Sequence, residues 1–368
     1  MAILATLGGW LGALRPFLNA LTDPRIFFAL SIVLLFAMFR FRGWVKPKPA
    51  MFLGIGVTVF FLISLFDPNF RKIVAKPDNV PIAGMLFLVG YFLWVGLKQA
   101  FDNDDRMLRG LGPSEKEESD AKVLVWPDLV YSEFICLIIL TVVLVVWAIA
   151  LQAPIEEPAN PTKAPNPSKA PWYFLGLQEM LVYFDPWLAG VVFPSLIILG
   201  LMALPYIDTN TRGNGYYTFL ERKKEILVYM FGFVVLWVLL IIQGTFLRGP
   251  NWTFFGPYEE WDIHKLAPLN NVNLSEIIYV KLLRTGLPAN WFLREMWGIL
   301  AVLVYFAVPP FLLAKTRWKG IYEKLGPTRY HIMAFLLLFM LMLPVKMSLR
   351  WAFNLKYFIS VPEFFFNI

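Results

Sequence analysis

Trp172, Tyr173, Glu179 and Tyr183 place aromatic faces, two phenols and one carboxylate on a single short stretch of chain. Such a set suits a pocket that grips a ring between aromatic walls while a nearby carboxylate takes up a proton. Residues Phe174-Leu175-Gly176-Leu177-Gln178-Glu179 read as a short amphipathic helix. At 100° per residue, Glu179 returns to nearly the face of Trp172, seven positions earlier, and Tyr183 lies one turn further. The three side chains then form one stripe. The alternative is a solvated Glu179 on the polar side of a surface helix, and the sequence leaves both readings open. Glu156, Glu157 and Asp185 are the other carboxylates nearby and read more naturally as loop or cap residues.

The element that must position this set is the loop before it. Residues 154–171 contain six prolines (154, 158, 161, 165, 167 and 171) and end in Ala170-Pro171-Trp172-Tyr173. Proline fixes φ, so the loop is stiff. It runs between two apolar segments of membrane grade. A stiff loop followed by a surface helix at a membrane edge can shape a pocket for an amphiphile, where hydrocarbon meets water.

Composition agrees with a membrane setting. The chain has 368 residues, 58% hydrophobic and only 16% charged, with a mean hydropathy of +0.60. These values predict an all-α, polytopic membrane bundle rather than a soluble domain. Eight apolar runs qualify as spans: 26–39, 51–66, 81–97, 129–151, 188–204, 226–242, 296–314 and 332–345. A span needs about 20 apolar residues, so the first and last are short and rely on snorkelling Arg25, Arg40, Arg42, Lys346 and Arg350. Ahead of them, Trp10, Leu11, Leu14, Phe17, Leu18 and Leu21 recur every three or four residues. That spacing predicts an amphipathic helix on the membrane surface or against a partner. The segment lacks the positive start of a signal peptide.

The net charge of +7 follows topology rather than nucleic-acid binding. Segments 40–48, 98–122, 212–224 and 315–329 hold four, five, four and five basic residues. They are alternate loops, so eight spans place them all on one side, the cytoplasmic side by the positive-inside rule. Both termini and the proline-rich loop then face the electropositive side. Within the runs as drawn, Glu133 is the only carboxylate, which argues against a stand-alone transporter. Pro194, Pro309 and Pro310 read as structural kinks.

Other chemistry is thinly represented. His264 and His331 are the only histidines, and neither has a partner at membrane depth, whereas a membrane b haem usually needs a facing pair. His331 reads as a polar helix-end residue, and His264 as a loop residue able to touch a docked redox partner. Cys136, the single cysteine, reads as packing. There is no phosphate loop, CxxC or HExxH motif, and Gly213-Asn214-Gly215 is only a turn signal.

From about 126 to 262 the motifs fall in a familiar order. A span enters the loop through Ala159-Asn160-Pro161. Pro171-Trp172-Tyr173-Phe174 and Asp185-Pro186-Trp187 follow, then a span ending Leu204-Pro205-Tyr206-Ile207-Asp208. The sixth span and Gly244-Thr245-Phe246-Leu247-Arg248-Gly249-Pro250 complete the set. This run resembles the C-terminal half of cytochrome b, the part that is a separate subunit IV in cytochrome b6f complexes. The resemblance covers a little over a third of the chain closely. It implies a membrane subunit that helps oxidise a quinol at the electropositive side, with Pro171, Trp172 and Tyr173 lining the pocket, to which the helical stripe adds Tyr183. Tyr173 equally fits the aromatic belt of a membrane interface.

The chain departs from the family at the acidic slot before the Trp-Tyr pair, which holds Pro171. Glu179 is then the leading substitute proton acceptor. Residues 1–125, with three spans and no family motif, stand where the haem-bearing half would be. Three regions follow: an extension 1–125, a cytochrome b C-terminal-like domain 126–314 with its loop at 152–187, and a terminal span and tail 315–368. The implied cofactor is quinol or quinone, with haem b in a partner chain and no metal here. The implied partners are a separate haem-binding cytochrome b, a Rieske iron–sulfur protein, a cytochrome c-type subunit and membrane lipid, in a bacterial inner membrane. The alternative is a structural membrane subunit that kept the fold and lost the chemistry. The extension and the Phe-rich tail 351–368 are expected to contact neighbouring subunits.

Overall fold

Proline and short acceptor side chains set where the helices begin. Helix α1 (Ala2–Leu21) ends just before Asp23, whose carboxylate caps α2 (Pro24–Arg40) by accepting from the Arg25 amide. Pro47 opens α3 (Pro47–Ser64) and Pro68 opens α4 (Pro68–Val74). Asp67 caps α4 by accepting from the amides of Asn69 (2.8 Å) and Phe70 (3.0 Å). Proline suits this first turn because its missing N–H would have had no helical partner there. Helix α5 (Val80–Leu108) carries proline at the same place. Further along come α6 (Val125–Ala150), the short α7 (Leu175–Met180), α8 (Leu188–Ile207), α9 (Lys223–Leu247), α10 (Trp291–Lys315) and α11 (Lys319–Phe353), besides short helical segments at Ser114–Glu118 and Glu276–Leu282. The computed structural model describes residues 2–118, 122–152, 155, 158–213, 215–268 and 270–368, with side chains except those of 2–11 and 118. Pro154, Glu156, Glu157, Asn214 and the side chains of Trp10 and Leu11 lie outside the described residues.

Seven of these helices are long and apolar enough to cross a membrane, and α1 with α2 forms an eighth candidate bent by 78° between Gly12–Leu21 and Pro24–Arg40. The chain is thus an all-α, multi-pass membrane protein. The two runs that looked short differ in outcome. Gly326, at φ 74°, breaks α11, so its long second part supplies ample length for the last span. Helix α2 has only 17 residues, roughly 26 Å at 1.5 Å per residue, and remains short of the ~30 Å hydrocarbon core. The bend at Asp23 turns α1 away from the direction of α2.

Contacts sort the loops into two ends. At one end, Arg42 reaches Asp104 (3.7 Å), whose other carboxylate oxygen accepts from the amides of Phe219 and Leu220 (both 3.0 Å). Trp94 donates to the Val45 carbonyl there, so basic segments 40–48, 98–122 and 212–224 meet. At the other end, Tyr258 lies 2.7 Å from the Ser64 hydroxyl and its amide donates to Asn19. Arg15 pairs with the fully buried Asp67 at 2.5 Å. The proline-rich loop belongs to this second end.

Between the ends, a core forms where α2, α7, α8, α9 and α11 meet, around Phe28, Tyr183, Phe184, Val235, Leu240 and Met347. Lipid removes most of the hydrophobic drive for helix association, so close approach and polar contacts carry more of it. Gly244 shows the close approach: a Cβ there would stand 3.0 Å from the Leu175 carbonyl, letting α7 lie directly across α9. Helix α6 shares in none of this: no residue in its most apolar stretch is buried. Glu133, on α6, is exposed.

The tail folds back on its own chain. Strand β1 (Ser360–Val361) pairs antiparallel with β2 (Phe366–Asn367). The Ser360 amide donates to buried Glu295 on α10 (3.0 Å), and Trp187 donates to the Asn367 carbonyl (2.9 Å). Glu295 was missed because α10 starts five residues before the apolar run. Of the tail's aromatic residues, Phe353, Phe364 and Phe365 stay well exposed.

Candidate functional site

The proline-rich loop is stapled to the helices it precedes. Gln178 on α7 accepts from the Ala170 amide and donates to the Ser168 carbonyl, both at 2.8 Å. Lys169, between them, donates to the Thr245 carbonyl at the end of α9 (2.7 Å) and sits 5.0 Å from the Trp261 ring. Asn166 exchanges two bonds with Asn251: its amide donates to Asn251 Oδ1 (2.9 Å), and its oxygen accepts from the Asn251 backbone (2.6 Å). Asn251 has φ 58°, a left-handed conformation that asparagine tolerates better than most residues. Burial and neighbouring Lys76 lower the Lys169 ammonium from 10.5 to about 8.

Glu179 is fully buried, so the solvated reading of this carboxylate does not hold. Arg248, at the end of α9, donates to it through Nε (2.9 Å) and one terminal nitrogen (2.6 Å), a bidentate fork. The other terminal nitrogen donates to the Trp252 carbonyl (3.0 Å). Burial opposes the Arg248 charge, but the facing carboxylate outweighs it and holds the guanidinium above its ordinary value. Tyr183 is almost fully buried beside this pair. Burial first, then the Glu179 charge, raises its phenol well above the ordinary tyrosine value. Its hydroxyl has no hydrogen-bond partner among the described residues, and neither do the side-chain polar atoms of buried Gln243 and Thr245 on α9.

The expected stripe therefore splits. Glu179 and Tyr183 come together inside the bundle, while Trp172 (38% exposed) and Tyr173 (47%) face outward. A continuous helix was the assumption that failed. Residues Trp172–Phe174 form a tighter 3-10 turn, and α7 ends at Met180. The angular step changes twice between Trp172 and Tyr183, so 100° per residue does not apply. Trp172, Tyr173 and Phe174 form a run of outward rings, with centroids 5.6 and 4.6 Å apart in succession. Pro171, capping the turn, has its carbonyl accept from the Phe174 amide (2.8 Å).

Asp185 serves as an anchor, accepting from the Tyr357 hydroxyl (3.0 Å) and the Asn367 amide (3.3 Å). His264 lies exposed in the loop after α9, and His331 exposed near the break in α11, at the opposite end. No cluster of three or more metal-ligating side chains occurs among the described residues. Sequence reasoning missed Gln178 and Arg248. Arg248 carried a signal, being a lone charge where an apolar run meets a Gly-Pro turn. Gln178 carried none, since its partners are backbone atoms.

This is a helical membrane bundle in which a stiff loop and a short crossing helix are clamped to one span by a buried ion pair. Residues 158–259 match the family model described as Cytochrome b(C-terminal)/b6/petD, the family that the motif order resembles. A match to this family over that segment is what a subunit of a cytochrome bc/b6f-type electron-transport complex would show. No solved structure matches the chain.

Proposed function

We propose that the chain is a haem-free subunit of a bacterial quinol:cytochrome c oxidoreductase and supplies part of its quinol-oxidation pocket. The observation that carries this reading is the outward run Trp172–Phe174, held rigidly beside a buried carboxylate, arginine and phenol. Its exposed aromatic faces form one wall, and the opposite wall comes from a separate haem-binding cytochrome b. Pro171 and Tyr173 shape the mouth, and Tyr183 stands behind with Glu179. A Rieske protein and a cytochrome c-type subunit complete the path for electrons. The basic end is cytoplasmic in this reading, and the loop end faces the periplasm.

Glu179 is the carboxylate best placed to take a proton from the quinol. Both its oxygens accept from Arg248, and each keeps a second lone pair on which a proton can land, at the cost of weakening the ion pair. This makes the pair a latch as well as a clamp. Replacing Glu179 alone is a poor test, because it strands the Arg248 charge in a buried site. The better test titrates a quinol-site inhibitor against the purified complex carrying Trp172→Ala or Tyr173→Phe, alongside an optical spectrum for b haem. The expected result is b haem in the complex and about tenfold weaker inhibitor binding in Trp172→Ala. Unchanged binding in both variants would sink the reading.

The second reading is a scaffold subunit that lost quinol chemistry. Pro171 in the acidic slot and the full engagement of Glu179 by Arg248 favour it. A complex with no b haem and no bound inhibitor would decide for the scaffold.

A further inference from the structure

A cleft of about 220 Å³ opens at the loop end, where the N-terminal extension meets α9. Phe27, Phe61, Phe70, Phe87 and Phe246 wall it, and Thr22 is its one polar residue. The Thr22 hydroxyl is already committed, donating to the Asn19 carbonyl at 2.9 Å. The lining thus offers no free donor to a quinone carbonyl. The volume is also below the roughly 300–1,000 Å³ of pockets that enclose drug-sized ligands. Both facts fit a hydrocarbon chain rather than a ring headgroup.

Helix α4 forms one wall and states what lies outside it. Phe70, Ile73 and Val74 turn into the cleft, and the last two are buried. Arg71 and Lys72, on the same seven residues, are exposed. Neither has a carboxylate within ion-pair distance among the described residues, unlike Arg15, Arg25 and Lys76, which pair with Asp67, Asp23 and Asp78. A short helix at the edge of the apolar zone, with aliphatic groups inward and two free cations outward, matches both halves of an acidic lipid.

We infer that this cleft holds one acyl chain of an anionic phospholipid, with its phosphate held by Arg71 and Lys72. The lipid would then fill the seam between residues 1–125 and the family-type domain. The site is separate from the proposed quinol wall: none of Pro171, Trp172, Tyr173, Glu179 or Tyr183 lines it.

The test is native mass spectrometry of the purified, detergent-washed complex, counting phospholipid and quinone. It compares wild type, Ala83→Phe, which fills the cleft, and the exposed double variant Arg71→Gln/Lys72→Gln. Wild type should retain one phospholipid, and Ala83→Phe should lose it. The double variant should hold phosphatidylglycerol about tenfold or more weakly on add-back, with phosphatidylcholine, whose phosphate is offset by its own cation, weakened less. Retention equal in all three proteins overturns the site. Loss in the double variant alone reduces it to surface attraction and overturns the cleft. A quinone in place of the phospholipid, indifferent to both charges, overturns the identity of the ligand. The double variant alters only exposed side chains, so it reads binding even if Ala83→Phe fails to fold.

Discussion

Helices α6 and α9 are similar in sequence character and opposite in use. Both are long, and their mean hydropathies are 2.8 and 2.6. Yet 28% of the most apolar stretch of α9 is buried within the chain, and none of α6 is. Apolar content therefore says that a segment enters the membrane and nothing about what it touches there. What distinguishes α9 is its sparse polar and small residues: Gly244 where α7 crosses, Arg248 where the loop is clamped. Helix α6 has exposed Ser132, Glu133 and Thr141, and the Ser132 and Thr141 hydroxyls donate only to carbonyls of their own helix. We propose that its contacts belong to a partner subunit.

Substitutions in the two regions would test this contrast. The largest effect is expected from Arg248→Ala, which strands Glu179 in a site with no solvent access. It should cost about 3–5 kcal/mol in detergent unfolding, and the double change Glu179→Leu with Arg248→Met should recover most of the loss. If Arg248→Ala unfolds like wild type, the clamp is not what holds the loop. Next comes Phe184→Ala in the core beside α9, expected to cost about 3–4 kcal/mol by the same measurement.

A smaller effect belongs to Lys169. Its ammonium value is lowered to about 8 by burial, so from about pH 8 to 10.5 the unfolded chain binds more protons than the folded one. Stability should rise with pH across that window and be flat below it. In Lys169→Met the rise should vanish, and a thermal-melt series from pH 7 to 10 would show it. The smallest effect is predicted for Phe134→Ala on α6, within about 0.5 kcal/mol for the isolated chain. The same variant should reduce the yield of assembled complex. A large loss in the isolated chain would show that α6 packs at home after all.

Much of the fold was legible in the sequence because lipid imposes its own rule. Every span must satisfy its backbone internally, and long apolar runs report that directly. The alternation of basic loops was also legible, and contacts such as Arg42–Asp104 gather three of them at one end. The site was legible only in part. Motif order located the loop and Trp172-Tyr173, but face geometry failed where a tight turn replaced regular helix between Trp172 and Leu175. The partner of Glu179 lies 69 residues away along the chain, and no local periodicity encodes such a pairing. What covers the tail within the chain was not legible for a related reason. Phe-rich composition marks an apolar surface without naming what covers it, and here part of the cover is Trp187 and α10.

Gln178 grips the loop through backbone atoms at Ser168 and Ala170 rather than through their side chains. Residues 168 and 170 are thus free to drift in sequence without altering the path of the chain. Position 178 has no such freedom, since a glutamate there would present an acceptor to the Ser168 carbonyl. The course of this stretch is therefore heritable through a few amides and one ammonium, while much of its spelling is not.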